Sequence, residues 1–161
     1  MIVYYTGVGV KKDPQSILIL MNKIAQHFSS YWWILRSGGA QGADTAFESG
    51  ASEKEIFYAD DATDEAIKIA SEFHPAWDRL SEYVKKLHGR NVFQVLGKDL
   101  STPSKFLVCW TPDGAINHSE RSIHTGGTGT AISIASVYNV PVFNLKRKDH
   151  FDIIMKELKR S

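Results

Sequence analysis

The sequence predicts an α/β fold of the Rossmann-like kind: a doubly wound, mainly parallel sheet with helices on both faces. Three observations predict it. Short apolar or aromatic runs alternate with stretches of helical spacing along the whole chain. Parallel strands need long crossovers, and the helical stretches fill those intervals. Two glycine-rich segments, "SGGAQG" from Ser37 and "TGGTGT" from Thr125, each follow strand-like sequence and lead into a helix. In such sheets ligands bind beyond the carboxyl ends of the strands, where both segments are expected.

Taken in order, Ile2–Tyr5 reads as the first strand, ending in a turn at Thr6-Gly7. Asp13 is the expected N-cap of a helix with Pro14 at its first position and Ile17, Leu20, Ile24 and Phe28 on one face. "YWWILR" (31–36) is the second strand, and "ADTAFESG" (43–50) a helix closed by Gly50. "EKEIFYA" (53–59) is the third strand. Thr63 caps a helix running to His74; "PAWDRLSEYVKKLHG" repeats the helical pattern through Trp77, Leu80, Val84 and Leu87, and "RNVFQVLGKDL" reads as a further helix. Lys105–Trp110 is a buried strand, and "TPDGAINHSERSIH" a loop. The second glycine segment leads into the helix "TAISIASVYN". "VPVFNL" is the last strand, and "DHFDIIMKELKR" a final helix with Ile153, Ile154 and Leu158 inward.

Length and composition set bounds. At 161 residues, with 43% hydrophobic and 23% charged, the chain reads as one soluble domain over 1–161. A formal net charge of +1 gives no global attraction to nucleic acid. No apolar run approaches a membrane span, and the N-terminus lacks a secretory pattern, so the expected location is the cytoplasm, with no membrane partner. The single cysteine, Cys109, excludes an internal disulfide; it lies in "SKFLVCW" and reads as a buried structural thiol. His74, His88, His118 and His124 show no metal-ligand spacing, so neither a metal nor another cofactor is expected.

The glycine segments carry the functional signal. Unpaired amides at a helix N-terminus attract anions, and glycines let a phosphate approach the backbone. Ser37, Gly38, Gly39, Ala40 and Gly42 in the first segment are candidate ligand-binding residues. So are Gly126, Gly127, Thr128, Gly129 and Thr130 in the second. Thr6-Gly7 in "TGVGV" is a third candidate cradle. Neither a dinucleotide fingerprint nor a P-loop is present.

"RSGGAQGADTAFESGA" resembles the SGGAxGxD segment of the Rossmann-like domain of DNA-processing protein A. "TGGTGTAISIASVYNVPVFNL" resembles the glycine-rich segment of the wider SLOG superfamily, which includes the Lonely Guy phosphoribohydrolases. "HPAWDRL", "RNVFQVLG" and "FLVCWTPDG" extend the likeness to small SLOG proteins of phages and prophages, over most of the chain. The resemblance implies a nucleotide ligand and gives Arg90 the place of a phosphate-binding arginine. Lonely Guy enzymes supply a glutamate for N-glycosidic cleavage at the position that falls here on Ser133. Acid-base work is therefore left to Asp44 or Glu48, which share a face of the helix after the first segment.

Each remaining candidate has two readings. Asp44 caps its helix or binds a ribose hydroxyl; Glu48 acts as acid or base, or is solvated. Arg90-Asn91 holds a phosphate and a base edge, or caps a surface helix. Trp110, beside Thr111, stacks on a base or fills the core. Trp32-Trp33 reads as core and interface. The expected function is binding of a nucleotide or nucleotide-derived phosphate between the two loops, with N-glycosidic hydrolysis as the enzymatic form. The alternatives are a non-catalytic sensor or sponge of nucleotide signals, and single-stranded DNA binding as a reduced DNA-processing protein. A homodimer or larger homo-oligomer is expected from the resemblance and the abundance of aromatics.

Overall fold

The computed structural model describes residues 1–160. Its strands are β1 (Tyr4–Gly7), β2 (Ile34–Ser37), β3 (Lys54–Ile56), β4 (Leu107–Cys109) and β5 (Val142–Asn144). The helices are α1 (Gln15–Ser29), α2 (Ala43–Gly50), α3 (Asp64–Ser71), α4 (Glu82–Leu96), α5 (Thr128–Val137) and α6 (Lys148–Leu158). The five strands form one parallel sheet in the order β3-β2-β1-β4-β5. The chain winds outward from β1 in one direction, then returns across it to β4. The crevice between β1 and β4 is thus the switch point of a Rossmann-like fold.

Both faces of the sheet are covered. Leu107 and Cys109 of β4 pack with α3, α4 and α5 through Ala70, Val92, Val95 and Ile132. Val108, between them, points to the opposite face and packs with α1, α2 and α6 through Met21, Ile24, Phe47 and Ile154. This alternation at period two, with both sides apolar, is what a buried parallel strand requires. Helix α5 is buried on almost all sides; its small residues and lack of charge let it lie against both sheet and neighbouring helices. Cys109 is fully buried, and burial pushes its thiol pKa far up, which leaves it an inert core residue.

The structure corrects several expected boundaries. β1 begins at Tyr4 and includes Thr6 and Gly7, which pair with Leu107 and Val108 of β4; a Cβ at Gly7 would lie 2.7 Å from the Phe47 ring of α2. Residues 31–33 are not strand: Tyr31 and Trp32 form a turn in which Trp32 takes a φ of 63° and is 77% exposed, whereas Trp33 packs on Phe28. Pro14 is the N-cap of α1, and Asp13 lies before it without capping an amide. The region after His74 is a turn, a 3-10 segment at Trp77–Arg79 and then one continuous helix, α4, capped by Ser81, whose hydroxyl accepts from the Val84 amide. Two expected helices are therefore one, and Arg90 is an interior residue of it. Ile153 is 51% exposed, so only Ile154 and Leu158 of the expected trio pack inward.

Candidate functional site

A cleft of about 600 Å³ opens at the switch point. The β1–α1 loop supplies Val8, Gly9, Val10 and Lys11; α4 supplies Leu87, His88, Arg90, Asn91 and Gln94. The first glycine loop reaches it through Ala40 and Asp44, the second through Gly126, Gly127 and Thr128. Both loops thus stand over the same end of the sheet.

The first loop is held by the acids of the helix it precedes. Glu48 Oε2 accepts from Ser37 Oγ at 2.6 Å and from the Gly39 amide at 2.8 Å. Asp44 Oδ2 accepts from the Ala40 amide at 3.2 Å. The turn needs Gly42, which has a φ of 87° and lies where a Cβ would be 2.6 Å from the Lys11 carbonyl. Two of the expected phosphate-binding amides are therefore engaged inside the protein. Glu48 serves as a clamp on its own loop.

The second loop is the open one. Gly126 has a φ of 64°, Gly127 is the N-cap of α5, and no side chain caps that N-terminus. Among the described residues the amides of Gly126, Gly127 and Thr128 find no hydrogen-bond partner. They present donors and the positive end of a helix dipole to the cleft. Asp113 fixes this loop: it accepts from Thr111 Oγ1 and Ser122 Oγ at 2.7 Å each, and from Thr125 Oγ1 and the Ala115 amide. Partial burial would raise the Asp113 pKa, but the three hydroxyls outweigh it and hold the carboxyl at about 2.

Arg90 crosses from α4 to the first loop. Its Nη1 donates to the carbonyls of Gly38 at 2.5 Å and Phe57 at 3.2 Å, and its Nε to Asn91 Oδ1 at 3.1 Å. Burial lowers its pKa, with Asp44 opposing the shift. Asp44, 5% exposed, is pushed up to about 6 by burial, with Arg90 opposing. Asp44 lines the cleft, and burial moves its titration toward neutrality. His88 donates or accepts at Thr130 Oγ1 over 2.8 Å; burial, with His74, Arg121 and Arg90 nearby, pushes it down to about 4, so it is neutral.

Of the other expected residues, several lie behind the cleft. Thr6 Oγ1 donates to the Gln94 carbonyl and is within 2.8 Å of Ser104 Oγ, and Gly7 packs under Phe47. Thr111 is fully buried in a network with Asn144 and Asp113, and Trp110 packs with the α1, α2 and α6 layer, which places neither on the cleft wall. Gly129 lies beneath Arg121, and Gly38 and Gly39 line a smaller cavity of about 250 Å³ with Tyr58, Tyr83 and Arg90. Ser133 is fully buried and bonds His118 Nδ1 at 2.8 Å.

Sequence reasoning missed Asp13, Lys11, His88, Gln94, Asp113 and Arg121. Asp13 looked like a cap. The others became visible only when the β1–α1 loop, α4 and the β4–α5 loop were folded against the glycine loops. Set against known proteins, the chain matches no family model, no curated protein and no solved structure.

Proposed function

We propose that the chain binds a nucleotide or nucleotide-derived phosphate in the switch-point cleft, with its phosphate on the α5 N-terminus. The observation that carries this reading is the uncapped, uncommitted amide set of Gly126, Gly127 and Thr128 facing a cleft of ligand size. Arg90 and Lys11 add positive charge on the same wall, and Asp44 offers a carboxyl to a sugar hydroxyl. The likeness of the two glycine segments to SLOG proteins agrees with this ligand class, and the exposed Trp32, Tyr58, Tyr83 and Ile123 supply apolar surface for a homodimer.

Turnover is the second reading. N-glycosidic cleavage needs a group that activates water or stabilises a positive sugar. Asp44, with its pKa near 6, is the group suited to it, because Glu48 is committed to Ser37 and Gly39. Ser133, neutral and buried, cannot take that role. Cytokinin-type monophosphates should therefore be hydrolysed very slowly or not at all. Calorimetry against ribonucleoside 5′-monophosphates tests binding, and chromatography of free base and ribose phosphate tests turnover. Absence of binding by every nucleotide overturns the proposal. Binding without release makes the protein a sensor or sponge, and release that survives Asp44→Asn removes Asp44 from the chemistry.

A further inference from the structure

Beyond Gly126 and His74, which it shares with the cleft, lies a second cavity of about 620 Å³. Phe73, Pro75, His118 and Arg121 form its walls. Arg121 is half-buried and rigidly held. Its Nη1 donates to the Phe73 carbonyl at 2.5 Å and lies 3.5 Å from Ser133 Oγ, and its Nη2 donates to Thr130 Oγ1 at 3.2 Å. Every one of these acceptors is neutral. Among the described residues Arg121 makes no ion pair, and Glu72, the one acid on this wall, is exposed and forms none with it. A partly desolvated guanidinium without a counter-charge is costly unless an anion joins it.

The surroundings reinforce the charge. The Arg121 side chain lies against Gly129, in the first turn of α5, so it adds to the positive end of that helix. His74 Nδ1 accepts from the Ala76 amide at 3.0 Å, which leaves Nε2 as a donor; His118 is fixed at Nδ1 by Ser133. Thr130 joins the two hollows, touching His88 of the cleft and Arg121 of the cavity. Ser133 matters here: a carboxylate in its place would stand next to Arg121 and neutralise it.

We propose that Arg121, with His74 and His118, is a second phosphate subsite, and that the ligand carries two separated phosphoryl groups spanning Gly126. The inference rests on the nucleotide reading of the cleft. Guanidinium geometry suits bidentate contact with phosphate, and two adjoining hollows of similar size suit a ligand larger than a mononucleotide.

The test uses the intact chain and calorimetry with the 5′-monophosphates and 3′,5′-bisphosphates of adenosine, guanosine, cytidine and uridine. At least one bisphosphate should bind about ten-fold or more tightly than its monophosphate, the scale of one charge-assisted contact. Arg121→Ala should bring that ratio close to one, the bisphosphate losing several-fold more affinity than the monophosphate. Arg121→Lys should retain part of the ratio. Because Arg121 also ties down the Phe73 carbonyl, His118→Ala serves as a variant at an exposed residue and should lower the ratio by a few-fold. Equal affinities in the native protein, or a ratio that Arg121→Ala leaves intact, overturns the subsite. If no nucleotide binds, the cleft reading fails by itself, and pyrophosphate titration followed at the Arg121 Nε–Hε resonance then judges the subsite. A saturable shift upholds it, and no shift overturns it.

Discussion

Asp13 holds two buried carboxylate oxygens that find no hydrogen-bond partner among the described residues, and the residue is 7% exposed. Oδ2 lies 2.6 Å from where a Cβ on Gly9 would stand, at the edge of the cleft. Burial pushes its pKa up to about 7; the nearby Val10 amide opposes the shift without completing a bond, and Asp44 adds to it. The folded chain therefore holds a proton on Asp13 that the unfolded chain has released above about pH 4. Stability at this position is lost as pH rises from about 4 to 7 and stays lost above. His88 acts oppositely between about pH 4 and 6.5, because the folded state keeps it neutral. Asp13→Asn isolates the first effect: at pH 8 it should be more stable than the native chain by about 1–2 kcal/mol, with little difference at pH 4.5. Denaturant melts at the two pH values measure this; a loss of stability at pH 8 would show that Asp13 is a structural partner. Arg90 belongs at the same scale. Arg90→Ala should weaken phosphate binding by about 1.5–3 kcal/mol, and calorimetry that finds affinity unchanged would confine Arg90 to bracing Gly38 and Phe57.

At the scale of elements, the two glycine loops are built for different ends. In the first, Gly42 is a backbone requirement: its positive φ and the nearby Lys11 carbonyl exclude a side chain. Gly42→Ala should cost about 1–2 kcal/mol or more of stability. In the second, Gly127 has helical dihedrals and no atom within 4 Å of a Cβ placed there. Gly127→Ala should change stability by no more than about 0.5 kcal/mol, yet place a methyl where a phosphate would approach, and weaken binding. Paired melts and titrations of these two variants separate fold from function. Unimpaired binding by Gly127→Ala would remove the α5 N-terminus from the site. Both loops were legible in the sequence because each glycine cluster follows a strand-like run and leads into a helix, twice at corresponding ends of one sheet. Their difference was not legible, because it depends on Glu48 and Asp44 folding back on one loop and on nothing capping the other.

For the whole molecule, the sheet order places both loops and the β1–α1 loop at one end, where α4 closes the cleft from the side. Among the described residues no helix is long and apolar enough to cross a membrane. Large apolar side chains remain exposed in the monomer, with Ile123 at 89% and Trp32 at 77%. A homodimer should bury part of this surface. Light scattering at micromolar concentration should give about twice the mass of one chain, and a monomeric mass would remove the proposed pairing.

The sequence by itself determined the alternation of strands and helices, the parallel sheet and the two loops, because these follow from local periodicity, turn chemistry and the rule that parallel strands need crossovers. It also marked Asp44 and Arg90 as site candidates. The tertiary structure alone decided which candidates reach the cleft. Thr6, Thr111 and Trp110 looked like site residues at strand ends, but long-range packing against Gln94, Asn144 and the α1 layer turns them inward. Asp13 and Arg121 looked unremarkable, and only the folded chain leaves one buried without a donor and the other half-buried without an acid. The physical reason is one of range. Backbone pattern is written in neighbours a few residues apart, whereas solvation and charge compensation depend on groups brought together from distant parts of the chain.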